Sequence, residues 1–97
     1  MIEIDGQTVN WDEEKNKANI RKHGVSFYEA ATVFKDENAL YRPDDKHSDD
    51  EERVIVLGLS KNLKLLLVCH CYRNGDAIIR IISARKANKE ECKQYER

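Results

Sequence analysis

The feature that most constrains the fold is a pair of long apolar segments on either side of Asn74-Gly75. Residues 64–73 and 76–85 are both rich in Leu, Val and Ile. Asn-Gly between such segments is the strongest short-range signal for a tight β-hairpin. Residues 54–59 form a third apolar segment, separated from the pair by a polar turn at 60–62. The sequence therefore predicts a three-stranded antiparallel meander.

A first helix is predicted upstream of the meander, from about Trp11 to His23. Asn10 is its expected N-cap, and Gly24 has the position of a residue that follows a helix end. Acidic residues begin the helix and basic residues end it, which suits the helix dipole. Its apolar content is low, so we expect a surface helix that turns a narrow stripe of Trp11, Ala18 and Ile20 inward.

Two further helices have clear start signals. Ser26 and Glu29 form a capping-box pattern, and the following apolar spacing predicts a second helix that ends near residue 34 or 35. Asn88 and Glu91 repeat the pattern and open a short C-terminal helix. The order of helix, helix, meander and helix predicts an α+β fold, with two N-terminal helices and a short C-terminal helix packed on an antiparallel sheet.

The remaining segments are short or polar. Ile2, Ile4 and Val9 around a turn predict an opening hairpin or extended arm. Residues 39–42 predict a short edge strand that stops at Pro43. Residues 44–53 contain six acidic and two basic side chains together with His47, and form the longest predicted loop.

Length and charge limit the kinds of function to consider. Residues 1–97 are expected to form a single domain. Residues 1–60 carry 8 basic and 14 acidic side chains, whereas residues 61–97 carry 9 basic and 4 acidic. This asymmetry favours a local anion site over a general nucleic-acid coat. No apolar run approaches the ~20 residues of a membrane span, and no secretion signal is evident, so we expect a cytoplasmic protein without a membrane partner.

The three cysteines and the known cofactor motifs say little about chemistry. Cys69, Cys71 and Cys92 are an odd number, which argues against a disulfide framework. A zinc site at Cys69-His70-Cys71 is the weakest hypothesis, because a strand would point His70 away from both thiols. The sequence contains no P-loop, dinucleotide-binding or zinc-protease motif. Any reaction is therefore expected to use side chains alone, without a metal or another cofactor.

The facing of His70 and Arg80 depends on the hairpin loop. A two-residue loop would place His70 opposite Ile79 and turn Arg80 to the other face. A three-residue loop would place His70 directly opposite Arg80 and create an anion site. Arg80 itself interrupts an isoleucine-rich strand, so it either pairs with a carboxylate such as Glu52 or holds a phosphate through its guanidinium. The residues alone leave these alternatives open.

Three pairs of adjacent charged or titratable residues lie at the ends of predicted elements. Each pair is either an ordinary set of solvated or dipole-compensating charges, or part of a site for a phosphate group. The pairs are Lys22-His23, Glu52-Arg53 and Arg85-Lys86.

Several of these segments together resemble the BrnT toxins of bacterial type II toxin–antitoxin pairs. The resemblance extends from Trp11 to Tyr95, and its most distinctive parts are Lys22-His23-Gly24 and Ile81–Arg85. It also includes Trp11-Asp12-Glu13, Lys15, Asn19, Arg21, residues 25–27 and 29–34, His47-Ser48, Glu52-Arg53, Gly58 and residues 66–70. The Cys69-His70-Cys71 run and the slightly acidic net charge of −1 depart from the pattern expected of the family.

The resemblance implies a RelE-like ribonuclease fold and an endoribonuclease that arrests translation. It also implies an RNA substrate, a cognate ribbon-helix-helix antitoxin of the BrnA kind, and contact with operator DNA only through that antitoxin. Such a reaction needs a base, an acid and cations around the phosphate. The candidates for proton transfer are His70 or His23, with Glu52 as an alternative base. The candidates for phosphate and transition-state charge are Arg80, Arg85, Lys22, Arg53 and Lys86.

Three functional hypotheses follow. The first is a metal-independent endoribonuclease toxin. The second is a catalytically inactive module of the same fold that only binds an antitoxin or regulates DNA. The third is a metal-binding regulator, which would carry stoichiometric zinc.

Overall fold

The computed structural model describes residues 1–47 and 51–96. Six strands form one sheet: β1 (Ile2–Ile4), β2 (Gln7–Asn10), β3 (Leu40–Pro43), β4 (Arg53–Leu59), β5 (Leu65–Arg73) and β6 (Ile78–Lys86). The helices are α1 (Glu13–His23), α2 (Phe27–Ala31) and α3 (Lys89–Tyr95). Short 3₁₀ turns lie at Thr32–Lys35, directly after α2, and at Asp45–His47. Residues 48–50 of the predicted acidic loop and the side chain of His47 lie outside the described part.

The sheet confirms the predicted α+β architecture and the meander, and it adds one parallel pairing. The strand order is β1-β2-β6-β5-β4-β3. Neighbouring strands pair antiparallel except β2 and β6, which run parallel. The opening hairpin therefore extends the meander beyond its last strand, and the expectation of a wholly antiparallel sheet is corrected at this pairing.

The hairpin after β5 is wider than either predicted loop. Arg73 pairs with Ile78, so four residues form the loop, and three of them have positive φ angles between 52° and 75°. His70 consequently pairs with Ile81, and Arg80 pairs with Cys71. Both predicted registers are wrong, because the Asn-Gly turn continues through two more residues instead of closing at once.

A β-bulge between Cys69 and His70 changes the register a second time. Beyond it Cys69 pairs with Ser83, so Ile82 is the extra residue of β6. A bulge shifts which residues of a strand share a face. His70 therefore lies on one face of the sheet, while Ser83 and Arg85 lie on the other.

The two faces of the sheet differ in what covers them. One face, here called the inner face, carries the apolar core beneath α1 and α2. Its buried side chains include Val9, Phe27, Val56, Leu66, Val68 and Ile81. The opposite, outer face carries two neighbouring rows across the strands: Arg42, Ile55, Cys69 and Ser83 in one, and Leu40, Leu57, Leu67 and Arg85 in the next. Residues of α3 contact this outer face: Glu91 binds Arg85, and Gln94 lies near Leu57 and Leu67.

Helix α1 begins later and packs differently than the sequence predicts. Asp12 is its N-cap, with Oδ1 accepting hydrogen bonds from two backbone amides of the first turn. The residues that it buries are Asn16 and Asn19, whereas Ile20 is 43% exposed. The predicted apolar stripe is therefore wrong at Ile20, and hydrogen-bonded amides replace it. Gly24 ends the helix with a φ of 71°, as predicted.

The other two helices start where the sequence places them. Ser26 caps α2 by accepting from the Glu29 amide at 3.1 Å. A complete capping box between Asn88 and Glu91 opens α3, with both hydrogen bonds at 2.8 Å. Within the described ranges, no helix combines the length and the apolarity that a membrane crossing requires.

Candidate functional site

A hollow of about 780 Å³ opens on the outer face of the sheet. Its floor is formed by outer-face residues of β4, β5 and β6, among them Ile55, Cys69 and Ser83. The end of α1 forms one wall, and β3 with the turn after it forms another. Its volume falls within the roughly 300–1,000 Å³ of typical small-ligand sites.

The hollow is lined mainly by basic side chains from separate parts of the chain. Five lysines and arginines and one histidine line it, against two aspartates. Because the basic groups outnumber the carboxylates, the hollow has a positive field that attracts anions. The basic residues are Lys22 and His23 from α1, Arg42 from β3, Lys46 from the following turn, Arg53 from β4 and Arg85 from β6; the aspartates are Asp44 and Asp45.

Four of the eight residues predicted for the site meet in this hollow: Lys22, His23, Arg53 and Arg85. The sequence did not single out Arg42 or Lys46. Arg42 stands directly before the strand-ending Pro43, and its pairing with Ile55 turns it to the outer face. Lys46 lies within an acidic run that reads as solvated, so no signal marked it.

His70 lies on the inner face, away from the hollow. Its side chain is completely buried, and its ring packs edge-on against Phe34 (4.9 Å between centroids) and Tyr72 (5.4 Å). Burial lowers the pKa of His70 to about 4, and a backbone hydrogen bond from Val68 opposes this only in part. A neutral ring sealed in the core cannot reach a phosphodiester, so we do not include His70 in the site.

The other three predicted residues do not line the hollow. Arg80 is half-buried and donates to Asn10 Oδ1 at 3.3 Å. Among the described residues, no hydrogen bond or ion pair joins Arg80 to Glu52, so the predicted pairing is wrong. Glu52 is exposed just before β4, and Lys86 is exposed at the end of β6.

Comparison with known proteins identifies the family. The sequence model described as "Ribonuclease toxin, BrnT, of type II toxin-antitoxin system" matches residues 11–91. The chain belongs to the BrnT family. The crystal structure of the Brucella abortus ribonuclease toxin BrnT is similar, with 26% sequence identity and a TM-score of 0.65 over 86% of this chain and 99% of that one. No curated protein matches the sequence. Membership of this toxin family implies an RNA target and an antitoxin partner.

Arg85 of this BrnT-family chain is already paired with a carboxylate. Its two terminal nitrogens donate to the two carboxylate oxygens of Glu91, at 2.8 and 2.9 Å. This bidentate pair raises the pKa of Arg85 and lowers that of Glu91. Arg85 therefore contributes less unpaired charge to the hollow than its position suggests, and it holds α3 against the outer face.

Cys69 lies on the floor of the BrnT-family hollow. Its Sγ is 3.8 Å from Asp44 Oδ2. Burial, with the nearby carboxylate of Asp44, raises the pKa of Cys69 to about 11. A thiol that stays protonated at neutral pH is a poor nucleophile and a poor metal ligand. No group of three or more His, Cys, Asp or Glu residues placed to share a metal ion occurs in the described part of the chain.

Proposed function

We propose that this BrnT-family chain is a metal-independent endoribonuclease that cleaves RNA in the basic hollow and thereby arrests translation in the cytoplasm. The observation that carries the proposal is the convergence of Lys22, His23, Arg42 and Arg53, from three separate elements, around one open hollow. Cations from several elements are the arrangement that grips a sugar–phosphate linkage. The fold and the family support the same activity.

The proposed reaction uses a nucleophile supplied by the RNA. A base takes the proton of a ribose 2′-hydroxyl, and the oxygen attacks the adjacent phosphorus. The bond from phosphorus to the 5′-oxygen then breaks, and an acid gives that oxygen a proton. The products are a 2′,3′-cyclic phosphate and a 5′-hydroxyl, and no redox partner or water is needed.

The residues of the hollow match these roles unequally. His23 is the one imidazole among the described residues that line it, and imidazole suits proton transfer near neutral pH. Arg42, Arg53 and Lys22 supply cations for the phosphate and for the charge that develops on it. Glu52 remains a candidate for the second proton transfer, because it adjoins Arg53 and its side chain is exposed.

Cleavage of RNA by the purified chain in EDTA tests the proposal. We expect products with 2′,3′-cyclic phosphate and 5′-hydroxyl ends, and a loss of about 10²–10⁴-fold in rate for His23→Gln if this imidazole transfers a proton. Arg53→Gln is expected to weaken RNA binding in a salt-dependent way.

Lys17→Gln is the matched control for Lys22→Gln, because Lys17 lies on the same helix and pairs with Glu14 (3.9 Å) away from the hollow. We expect the control to behave as wild type. Absence of cleavage and of growth arrest on expression would refute the nuclease proposal.

The alternative is a catalytically inactive module that only binds its antitoxin. The observation in its favour is that carboxylates reduce the charge of the hollow: Glu91 occupies Arg85, and Asp44 and Asp45 line the cavity. This alternative predicts tight antitoxin binding, normal growth of expressing cells and intact RNA in the EDTA assay.

We further propose that the antitoxin is a ribbon-helix-helix protein of the BrnA kind, and that operator DNA is contacted only through it. The net charge of −1 supports the second part, because a slightly acidic chain has little general affinity for DNA. Co-expression with the neighbouring open reading frame should give a stable complex that shifts operator DNA. The chain by itself should leave the same DNA unshifted, and a shift by the toxin alone would contradict the proposal.

A further inference from the structure

Asn19 makes three hydrogen bonds from one buried side chain. It is only 7% exposed and lies on the inward side of α1. Its Nδ2 donates to the carbonyl oxygens of Val25 and Ala84, both at 2.8 Å. Its Oδ1 accepts from the Ala84 amide at 3.2 Å. Both the donor and the acceptor of Ala84 are therefore satisfied by a helix side chain, as a neighbouring strand would satisfy them.

These bonds join the segments that form one side of the hollow. The β2 pairing of β6 ends at Arg80, before Ala84. Ala84 lines the hollow between Ser83 and Arg85. His23 lies four residues after Asn19, so the two side chains share one face of the helix. Asn19 thus fixes the distance between the last turn of α1 and the strand edge opposite His23.

We propose that Asn19 is a positioning residue for RNA cleavage, which holds His23 at the edge of β6 beside the bound phosphodiester. This inference rests on the proposed ribonuclease function and deepens it. Because α1 has few buried apolar side chains, packing alone allows the helix to slide along the strand. Two hydrogen bonds to the backbone of one residue prevent that sliding, since they are satisfied at one position only.

The expected effect is on the rate of the chemical step. A misplacement of about 1 Å can cost about 10²-fold in rate. Arg42 and Arg53 lie on strands that Asn19 does not touch, so substrate binding should persist. We therefore expect Asn19→Ala to lower kcat by about 10²-fold and to leave KM nearly unchanged.

Asn16 provides a matched control on the same helix. It is 4% exposed, and its Oδ1 accepts from the Phe27 amide at 2.8 Å, which ties α1 to the start of α2. Asn16 does not line the hollow. Asn16→Ala should destabilise the fold to a similar extent, because it also leaves a buried backbone group unpaired. Its kcat per folded molecule should remain close to wild type.

A double-mutant cycle separates positioning from general destabilisation. In a His23→Gln background, Asn19→Ala should cause little further loss of kcat, because the group that it positions is already absent. Equal loss of activity in the Asn16 and Asn19 variants would overturn the inference, and so would an undiminished effect of Asn19→Ala on His23→Gln. Asn19→Asp is the second variant: it keeps the acceptor for the Ala84 amide and lacks both donors, so its kcat should fall between wild type and Asn19→Ala.

A binding measurement tests the inference without cleavage. Single-stranded 2′-O-methyl RNA lacks the attacking hydroxyl, and its binding should shift the His23 ring resonances in NMR spectra of wild type and Asn16→Ala. In Asn19→Ala the RNA should still bind, with the His23 response lost. A full His23 response in Asn19→Ala would overturn the positioning role. Failure of the wild type to cleave RNA would instead overturn the proposed function, so the two failures are distinguishable.

Discussion

The buried imidazole of His70 makes the stability of the protein depend on pH in a predictable direction. His70 is 0% exposed, and burial lowers its pKa from 6.5 to about 4. The unfolded chain takes up a proton at this residue below about pH 6.5, whereas the folded chain resists it until about pH 4. The free energy of unfolding therefore falls with decreasing pH across this window, and the stability is fully present only above it.

The magnitude follows from linkage. A shift of this size corresponds to a loss of about 3 kcal/mol once the pH is below both pKa values. Between pH 7.5 and pH 5 the loss attributable to His70 is about 2 kcal/mol. That is a large fraction of the roughly 5–15 kcal/mol that keeps a small domain folded.

Urea unfolding of wild type and His70→Phe at several pH values measures this contribution. Phenylalanine preserves edge-on packing against Phe34 and Tyr72 and does not titrate. The difference in unfolding free energy between the two proteins should change by about 2 kcal/mol from pH 7.5 to pH 5. Other acid-sensitive groups, such as Glu91, cancel because they occur in both proteins. Parallel pH profiles for the two proteins would refute the reasoning.

The same variant tests the exclusion of His70 from the reaction. At pH 7.5 folded His70→Phe should cleave RNA at the wild-type rate, because the ring lies in the core and not in the hollow. A loss of cleavage by a stable, folded variant would return His70 to the catalytic candidates.

Three further predictions follow from local geometry. Gly58→Ala should destabilise the protein by about 1–3 kcal/mol in urea unfolding, because the new Cβ would lie 3.1 Å from Val33 Cβ. Tyr95 donates to Asp36 Oδ2 at 2.5 Å, which raises the pKa of Tyr95 to about 12; an ultraviolet titration should find one tyrosine that ionises late, and Tyr95→Phe should remove it. Cys69, with its pKa raised to about 11, should react with iodoacetamide at pH 7.5 far more slowly than a free thiol; rapid labelling would contradict this pKa.

Part of the site was predictable because its signals are local. Lys22 and His23 end a helix whose start and stop are marked in the sequence, so their exposure and their position followed from capping. Arg53 begins an apolar strand, where a charged residue stays at the solvent edge. The meeting of these residues was not predictable, because it depends on Asn19 bonding to Ala84, 65 residues further along the chain.

The sequence by itself determined the elements: the meander, the capped helices and the α+β order all follow from apolar periodicity and from residues that suit caps and turns. The tertiary structure alone decided which side chains face the hollow. A four-residue loop and one bulge set the register of β5 and β6. A one-residue slip exchanges the two faces of a strand. This is why His70 enters the core while Arg85 reaches the open face: strand register is fixed by long-range packing that no local pattern encodes.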